Sequence, residues 1–72
     1  MTQEVFEMTF KVARVAAGLR IEDACKGLDI NRQKLIDIEK YRKAPTIELL
    51  ERMAKLYGLP SWRAFAIPRY NA

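Results

Sequence analysis

The chain has 72 residues and a formal net charge of +4, and half of its residues are hydrophobic while 31% are charged. This balance is typical of one small folded domain and argues against a disordered chain. The apolar runs are too short for a membrane span, so we expect no membrane association, and the basic balance favours nucleic acid or an acidic protein surface as a partner.

The first two helices are predicted over residues 3–17 and 21–27. In the first, Phe6 and Phe10 lie one turn apart on the same face, which is the spacing of an amphipathic helix. Gly18 is expected to end this helix, because glycine readily adopts the left-handed conformation that helix ends favour.

The third and fourth helices begin at residues that cap helices well. Asn31 is the expected N-cap of a helix reaching about residue 41, with Leu35 and Ile38 on its inner stripe. Thr46 is the expected N-cap of the fourth, whose wide apolar face indicates a central position. The apolar positions of that helix are Ile47, Leu49, Leu50, Met53, Ala54, Leu56 and Tyr57.

A short fifth helix is predicted to start near Ser61 and to carry Trp62 and Phe65. The chain is therefore interpreted as a single all-α domain over residues 1–66. Residues 67–72 are expected to form an irregular C-terminal tail.

Catalysis is not expected from this composition. The chain has no histidine, so the usual general base and the commonest metal ligand are missing. Cys25 is the single cysteine, so no intrachain disulfide can form. We expect no enzyme activity, no metal, no cofactor and no small-molecule substrate. With no signal-peptide pattern, the expected location is cytoplasmic.

The second and third predicted helices, over about residues 21–41, are joined by only a few residues and are followed by a basic loop. Two helices joined by such a short turn form the helix-turn-helix unit that reads DNA. Small helical bundles without that function share the spacing, so both interpretations stay open on spacing alone.

An ungapped run of residues resembles the phage repressor and Cro family of helix-turn-helix proteins. The resemblance covers about residues 10–66 and implies a compact five-helix, lambda-repressor-like domain that acts in a bacterial host cell. It is carried by Gly18, Leu19, Glu22, Asp23, Ala24, Cys25, Leu28, Ile30, Arg32, Leu35, Ile38, Glu39, Pro45, Leu49, Leu50, Met53, Ala54, Leu56, Gly58 and Leu59.

The resemblance implies double-stranded DNA as a partner, read by the third helix in the major groove. It places Arg32, Gln33 and Asp37 at base-facing positions, with Lys34 beside them. Arginine suits guanine and glutamine suits adenine. The alternative is a solvated basic surface, because lysine and arginine normally lie outside. The residues that the resemblance places against phosphate are Lys40, Arg42 and Lys43.

Other matching positions have a structural interpretation. The resemblance implies that Arg14 pairs with Glu39, and that Cys25 is a small buried residue packed between the second and third helices. The family often dimerises through its fifth helix, so Trp62 and Phe65 are either core caps or the contact of a homodimer.

Two of the family's glycines are replaced in this chain. The turn of the helix-turn-helix unit has Asp29, which tolerates a positive φ better than most residues do. The third helix is followed by Tyr41, so the loop after it is expected to differ.

Two isoleucines occupy the predicted reading side. Ile21 replaces a polar residue that anchors phosphate in the family, and Ile36 is expected to be exposed beside the base-facing positions. With Arg32 and Asp37 as polar neighbours, these residues suggest a surface that also, or mainly, meets protein.

We therefore expect a small phage-type transcriptional regulator of a lysogeny switch, acting through operator DNA, a partner repressor or both. The alternative is an anti-repressor that binds a repressor protein and blocks its DNA binding. An antitoxin is less favoured, because no separate toxin-binding tail is visible.

Overall fold

The computed structural model describes residues 8–70. Within this range the second helix packs against the third and the fourth, while the first helix packs against the third. No helix in the described range is long and apolar enough to cross a bilayer. The all-helical fold predicted from the sequence is confirmed. Its elements are α1 (Phe10–Ala16), α2 (Ile21–Leu28), α3 (Arg32–Glu39), α4 (Ile47–Leu56) and a 3-10 turn (Trp62–Ala64).

The first helix starts later than predicted. Thr9 is the N-cap of α1, and its hydroxyl oxygen accepts a hydrogen bond of 3.1 Å from the backbone of the first turn. Met8 instead forms an isolated β-bridge with Phe65. The predicted helical start is therefore wrong at residues 8 and 9. Residues 3–7, including the expected inner position Phe6, lie outside the described range.

The predicted fifth helix is wrong, because only a single 3-10 turn forms there. Ser61 caps this turn, and Phe65 then adopts an extended backbone with φ −79° and ψ 140°. This change of direction buries Phe65, which is 3% exposed and lies 5.0 Å from the ring of Phe10. Phe65 is therefore a core residue and not a dimer contact in this fold.

The core contains a group of aromatic side chains in contact with one another. Phe10 also lies 5.6 Å from Tyr41, and Phe65 lies 6.1 Å from Tyr57. Burying each large apolar side chain contributes roughly 1.5–3 kcal/mol. The expected inner face of α4 forms, except that Ile47 is exposed and Leu56 is half-buried. The remaining buried apolar residues are Ala13, Ala24, Leu28, Leu35, Ile38, Leu49, Leu50, Met53 and Ala54.

Two residues other than glycine adopt left-handed backbone conformations at the ends of α2 and α3. Asp29 has φ 55° and Tyr41 has φ 60°. The loop after α3 therefore keeps the turn that a glycine would make, although the sequence suggested a difference. A left-handed conformation costs roughly 1–2 kcal/mol for a residue such as tyrosine, whereas aspartate adopts it more readily. The Tyr41 ring, half-buried against Phe10, offsets this cost, and its hydroxyl donates to the Ala66 carbonyl at 3.4 Å.

A buried ion pair joins α1 to α3. Arg14 Nε lies 2.7 Å from Glu39 Oε2, and Arg14 Nη2 donates to Glu39 Oε1 at 3.2 Å. The two side chains are only 7% and 6% exposed. Arg14 Nη1 also donates to the Leu19 carbonyl at 2.9 Å, so the pair reaches the loop before α2. Donating hydrogen bonds to the Glu39 carboxylate raises the pKa of the Arg14 guanidinium.

Glu39→Ala is expected to lower the free energy of unfolding by roughly 3–5 kcal/mol, because it leaves the Arg14 guanidinium buried without its carboxylate. Urea melts measure this change. Glu22→Ala is the matched control, since it removes a carboxylate from the exposed pair with Arg32 and should cost less than about 1 kcal/mol. Equal losses in the two variants would contradict the structural role of the buried pair.

Tyr57 supplies a test at alkaline pH. Its hydroxyl is buried without a hydrogen-bond partner among residues 8–70, and burial raises its pKa from 10.0 to about 12. The unfolded chain ionises first, so stability is lost as the pH rises from 10 towards 12, by about 2–3 kcal/mol in total. Tyr57→Phe removes this loss.

The measurement compares urea melts of the wild type and of Tyr57→Phe near neutral pH and near pH 11. Near neutral pH the variant should be as stable or more stable, because phenylalanine buries no orphaned hydroxyl. Near pH 11 the free energy of unfolding of the variant should exceed that of the wild type by a larger amount than near neutral pH. A constant difference between the two proteins across this pH range would show that Tyr57 does not titrate as its burial implies.

Candidate nucleic-acid interface

The α2–α3 unit presents the beginning of α3 to solvent. Residues 29–31 link the two helices, and the Asn31 side chain accepts a hydrogen bond of 2.8 Å from the Lys34 backbone nitrogen. From α4, Arg52 Nη2 donates to the Leu28 carbonyl at 2.6 Å and so satisfies the end of α2. Hydrogen bonds thus cap the end of α2 and the start of α3 on either side of the turn, and α4 packs against α2.

The predicted nucleic-acid contacts fall into two adjacent exposed groups. Arg32, Gln33 and Lys34 occupy the first turn of α3 and are all exposed. The second group lies where α3 ends and the following loop begins, and it is exposed as well. Its members are Lys40, Arg42 and Lys43. The structure therefore brings these six expected residues to one helix and its following loop.

Carboxylates on the protein pair with several of these cations. Arg32 Nη1 lies 3.3 Å from Glu22 Oε1 on α2, and both side chains are mostly exposed. Arg42 Nη1 and Lys43 Nζ lie 3.7 Å and 3.8 Å from the two carboxylate oxygens of Asp37. The exposed pair between Arg32 and Glu22 contributes little stability, so a phosphate group can replace that carboxylate at low cost.

Asp37 does not lie at an outward, base-facing position as expected. The residue is 8% exposed, and its carboxylate accepts a hydrogen bond of 3.0 Å from the Gln33 side-chain amide. Its backbone carbonyl accepts from the backbone nitrogens of Arg42 and Lys43 at 2.8 Å and 3.3 Å. The left-handed turn at Tyr41 folds the loop back over Asp37, and sequence spacing could not show this.

Ile21 and Ile36 are both half-buried and share an open hollow of about 220 Å³. Ile36 is therefore less exposed than expected, because it forms a wall of this hollow rather than projecting from α3. Ile21 packs against the core on its inner side. The hollow lies between α1, α2 and α3, and it is lined by Lys11, Arg14, Ile21, Ile36, Glu39 and Lys40.

Sequence reasoning missed two residues around the unit. Lys11 reaches the hollow from α1, and Arg52 caps α2 from α4. Lys11 precedes Arg14 by one helical turn, which is a signal that it shares the flank of α1 facing α3. No local signal identifies Arg52, because its role depends on how α4 packs across α2.

Cys25 and Trp62 both lie half-buried against the core. Burial raises the pKa of the Cys25 thiol, so the thiolate needed for redox or metal chemistry is disfavoured. Trp62 borders an open hollow of about 410 Å³ beside α4, and the Arg63 guanidinium lies 5.8 Å from its ring centre. Among residues 8–70, no group of histidine, cysteine or acidic residues is arranged to hold a metal ion.

Comparison with known proteins agrees with this geometry. The model of a family described as a helix-turn-helix domain matches residues 8–63, and the chain belongs to that family. The chain is also similar to the cryptic phage CTXphi transcriptional repressor RstR of Vibrio cholerae. The two are 29% identical over 56 residues, which cover 78% of this chain and 50% of the repressor.

The resemblance to the phage repressor type, drawn from the residues, is confirmed by these matches. The chain spans about half the length of the curated repressor that it matches. No solved structure gives a significant match.

Proposed function

We propose that the chain is a DNA-binding transcriptional regulator of the phage repressor type, acting at a lysogeny switch and not as an enzyme. The observation that carries the proposal is the exposed group of cations and Gln33 on the first turn of α3 and the loop after it. An α-helix fits the major groove of B-DNA, where its first turn meets the base edges.

The proposed contacts divide into base reading and phosphate binding. Arg32 donates two hydrogen bonds to guanine, and Gln33 pairs with adenine. Lys34, Lys40, Arg42 and Lys43 neutralise phosphates and position α3. Trp62 remains partly at the surface and is the residue through which a homodimer would form, since Phe65 is buried.

The salt dependence of binding tests this proposal. Affinity for duplex DNA should fall steeply as salt rises, because each phosphate contact releases condensed counterions. Lys43→Ala should weaken binding to all sequences and reduce the slope of log K against log salt by about 1. Gln33→Ala should instead relax discrimination at one base pair. Fluorescence anisotropy over a salt series measures both effects.

Lys55→Ala is the matched control for charge. Lys55 is an exposed cation on α4, outside the α2–α3 unit, so its replacement should leave the salt slope nearly unchanged. Binding that does not respond to salt would overturn the proposal. An equal reduction of the slope of log K against log salt in Lys43→Ala and Lys55→Ala would also overturn it.

A second candidate function is favoured by the hollow between Ile21 and Ile36. Its apolar walls suit an apolar side chain from a protein partner, and Lys11 and Lys40 at its edges suit acidic neighbours of that side chain. A repressor bound here would cover the start of α2 and the flank of α3. Such an anti-repressor would relieve repression without occupying the operator.

Ile36→Lys separates the two functions. It adds a cation beside Lys40, so it should preserve or strengthen DNA binding, whereas it should disrupt an apolar contact with a repressor. Calorimetry against DNA and against a candidate repressor of the same phage measures both. Val15→Lys, at an exposed apolar position on α1, is the control for added charge. An intact repressor complex beside lost DNA binding would defeat the anti-repressor function.

A further inference from the structure

Asp37 lies where α3, the proposed DNA-reading helix, meets the basic loop after it. Its carboxylate interacts with side chains from both the helix and the loop. Oδ1 accepts the Gln33 amide at 3.0 Å and lies 3.7 Å from Arg42, while Oδ2 lies 3.8 Å from Lys43. The Asp37 side chain is 12% exposed, whereas those of Arg42 and Lys43 are mostly exposed. Three proposed DNA contacts therefore share one nearly buried acceptor.

The chemistry of a carboxylate decides which way the Gln33 amide faces. An ionised carboxylate only accepts hydrogen bonds, so Gln33 must direct its NH₂ group towards Asp37. One N–H of that group is then used inside the protein. The Gln33 carbonyl oxygen and the second N–H remain for another partner.

This arrangement distinguishes the two purines in the major groove. Adenine presents the N6 donor and the N7 acceptor, which match a carbonyl oxygen beside an N–H. Guanine presents two acceptors, O6 and N7. The fixed carbonyl oxygen of Gln33 would then face guanine O6, and two acceptors cannot form a hydrogen bond with each other. A freely rotating amide would discriminate less.

We propose that Asp37 is a positioning residue that sets the adenine preference of Gln33 while lowering non-specific affinity through its charge beside Arg42 and Lys43. The inference rests on the proposed DNA-binding function and deepens it. The two effects have opposite signs: the carboxylate sharpens base choice, and it opposes attraction to phosphate.

The test begins with wild-type protein and a library of duplex DNA containing a randomised segment. Selection defines the preferred site, and Gln33→Ala identifies the base pair that Gln33 reads. Asp37→Ala should reduce the preference for adenine over guanine there by about fivefold or more, a change expected when one bidentate contact loses its fixed orientation. It should also raise affinity for random duplexes by roughly two- to tenfold.

Glu22→Gln is the matched control. It removes one negative charge from the pair with Arg32, whereas the Gln33 amide donates its hydrogen bond to Asp37 and not to Glu22. It should raise affinity for random duplexes as Asp37→Ala does, and it should leave the adenine preference unchanged. In a Gln33→Ala background, Asp37→Ala should no longer alter base preference, because the amide that it orients is gone.

A purely structural role for Asp37 would lower all affinities together with thermal stability and leave the base preference intact, and that result would overturn the inference. The side-chain amide spectrum of Gln33 in the wild type gives a test that needs no variant. One of its two amide protons should be shifted by the hydrogen bond to Asp37, and two solvent-like protons would also overturn the inference. Wild-type protein that binds no duplex would overturn the proposed function itself.

Discussion

The buried pair between Arg14 and Glu39 is the contact on which the position of α3 depends. An isolated helix of eight residues is unstable in water, so α3 needs tertiary contacts to hold its shape and direction. Leu35 and Ile38 anchor one side of it in the core, while Glu39 ties its end to α1. Because Arg14 also binds the Leu19 carbonyl, the same guanidinium fixes the approach to α2. The α2–α3 unit is therefore oriented by a charge pair as well as by apolar packing.

On the proposed reading side, carboxylates of the protein itself offset part of the positive charge. Glu22 pairs with Arg32, and Asp37 lies between Arg42 and Lys43. These carboxylates reduce the attraction to arbitrary phosphate while leaving the cations exposed. A small basic domain that reads sequence benefits from this balance, because specificity is the difference between binding its site and binding other DNA.

The apolar hollow beside the same helix has a different chemistry. Ile21 and Ile36 form its walls, and they lie where a regulator that binds only DNA would gain more from polar groups. In the two proposed functions, the first turn of α3 contacts nucleic acid and the hollow takes up an apolar side chain of a protein partner. A partner at the hollow would lie close enough to α3 to compete with DNA, which links the two candidate functions.

Local patterns in the sequence determined α2, α3 and α4 and the caps of the last two, because a cap or a periodic face involves residues only a few positions apart. Asn31 and Thr46 cap α3 and α4 as their side chains predict, and the resemblance anticipated the pairing of Arg14 with Glu39.

Contacts between distant residues decided the rest. The bridge between Met8 and Phe65 lies where the first helix was expected to be under way, so that α1 starts only at Phe10, and Phe65 lies in the core. The left-handed turn at Tyr41 folded the basic loop over Asp37 and turned an expected base contact into a buried acceptor. Neither contact leaves a signal in spacing or composition, since each depends on where the packed helices place the segments that flank them.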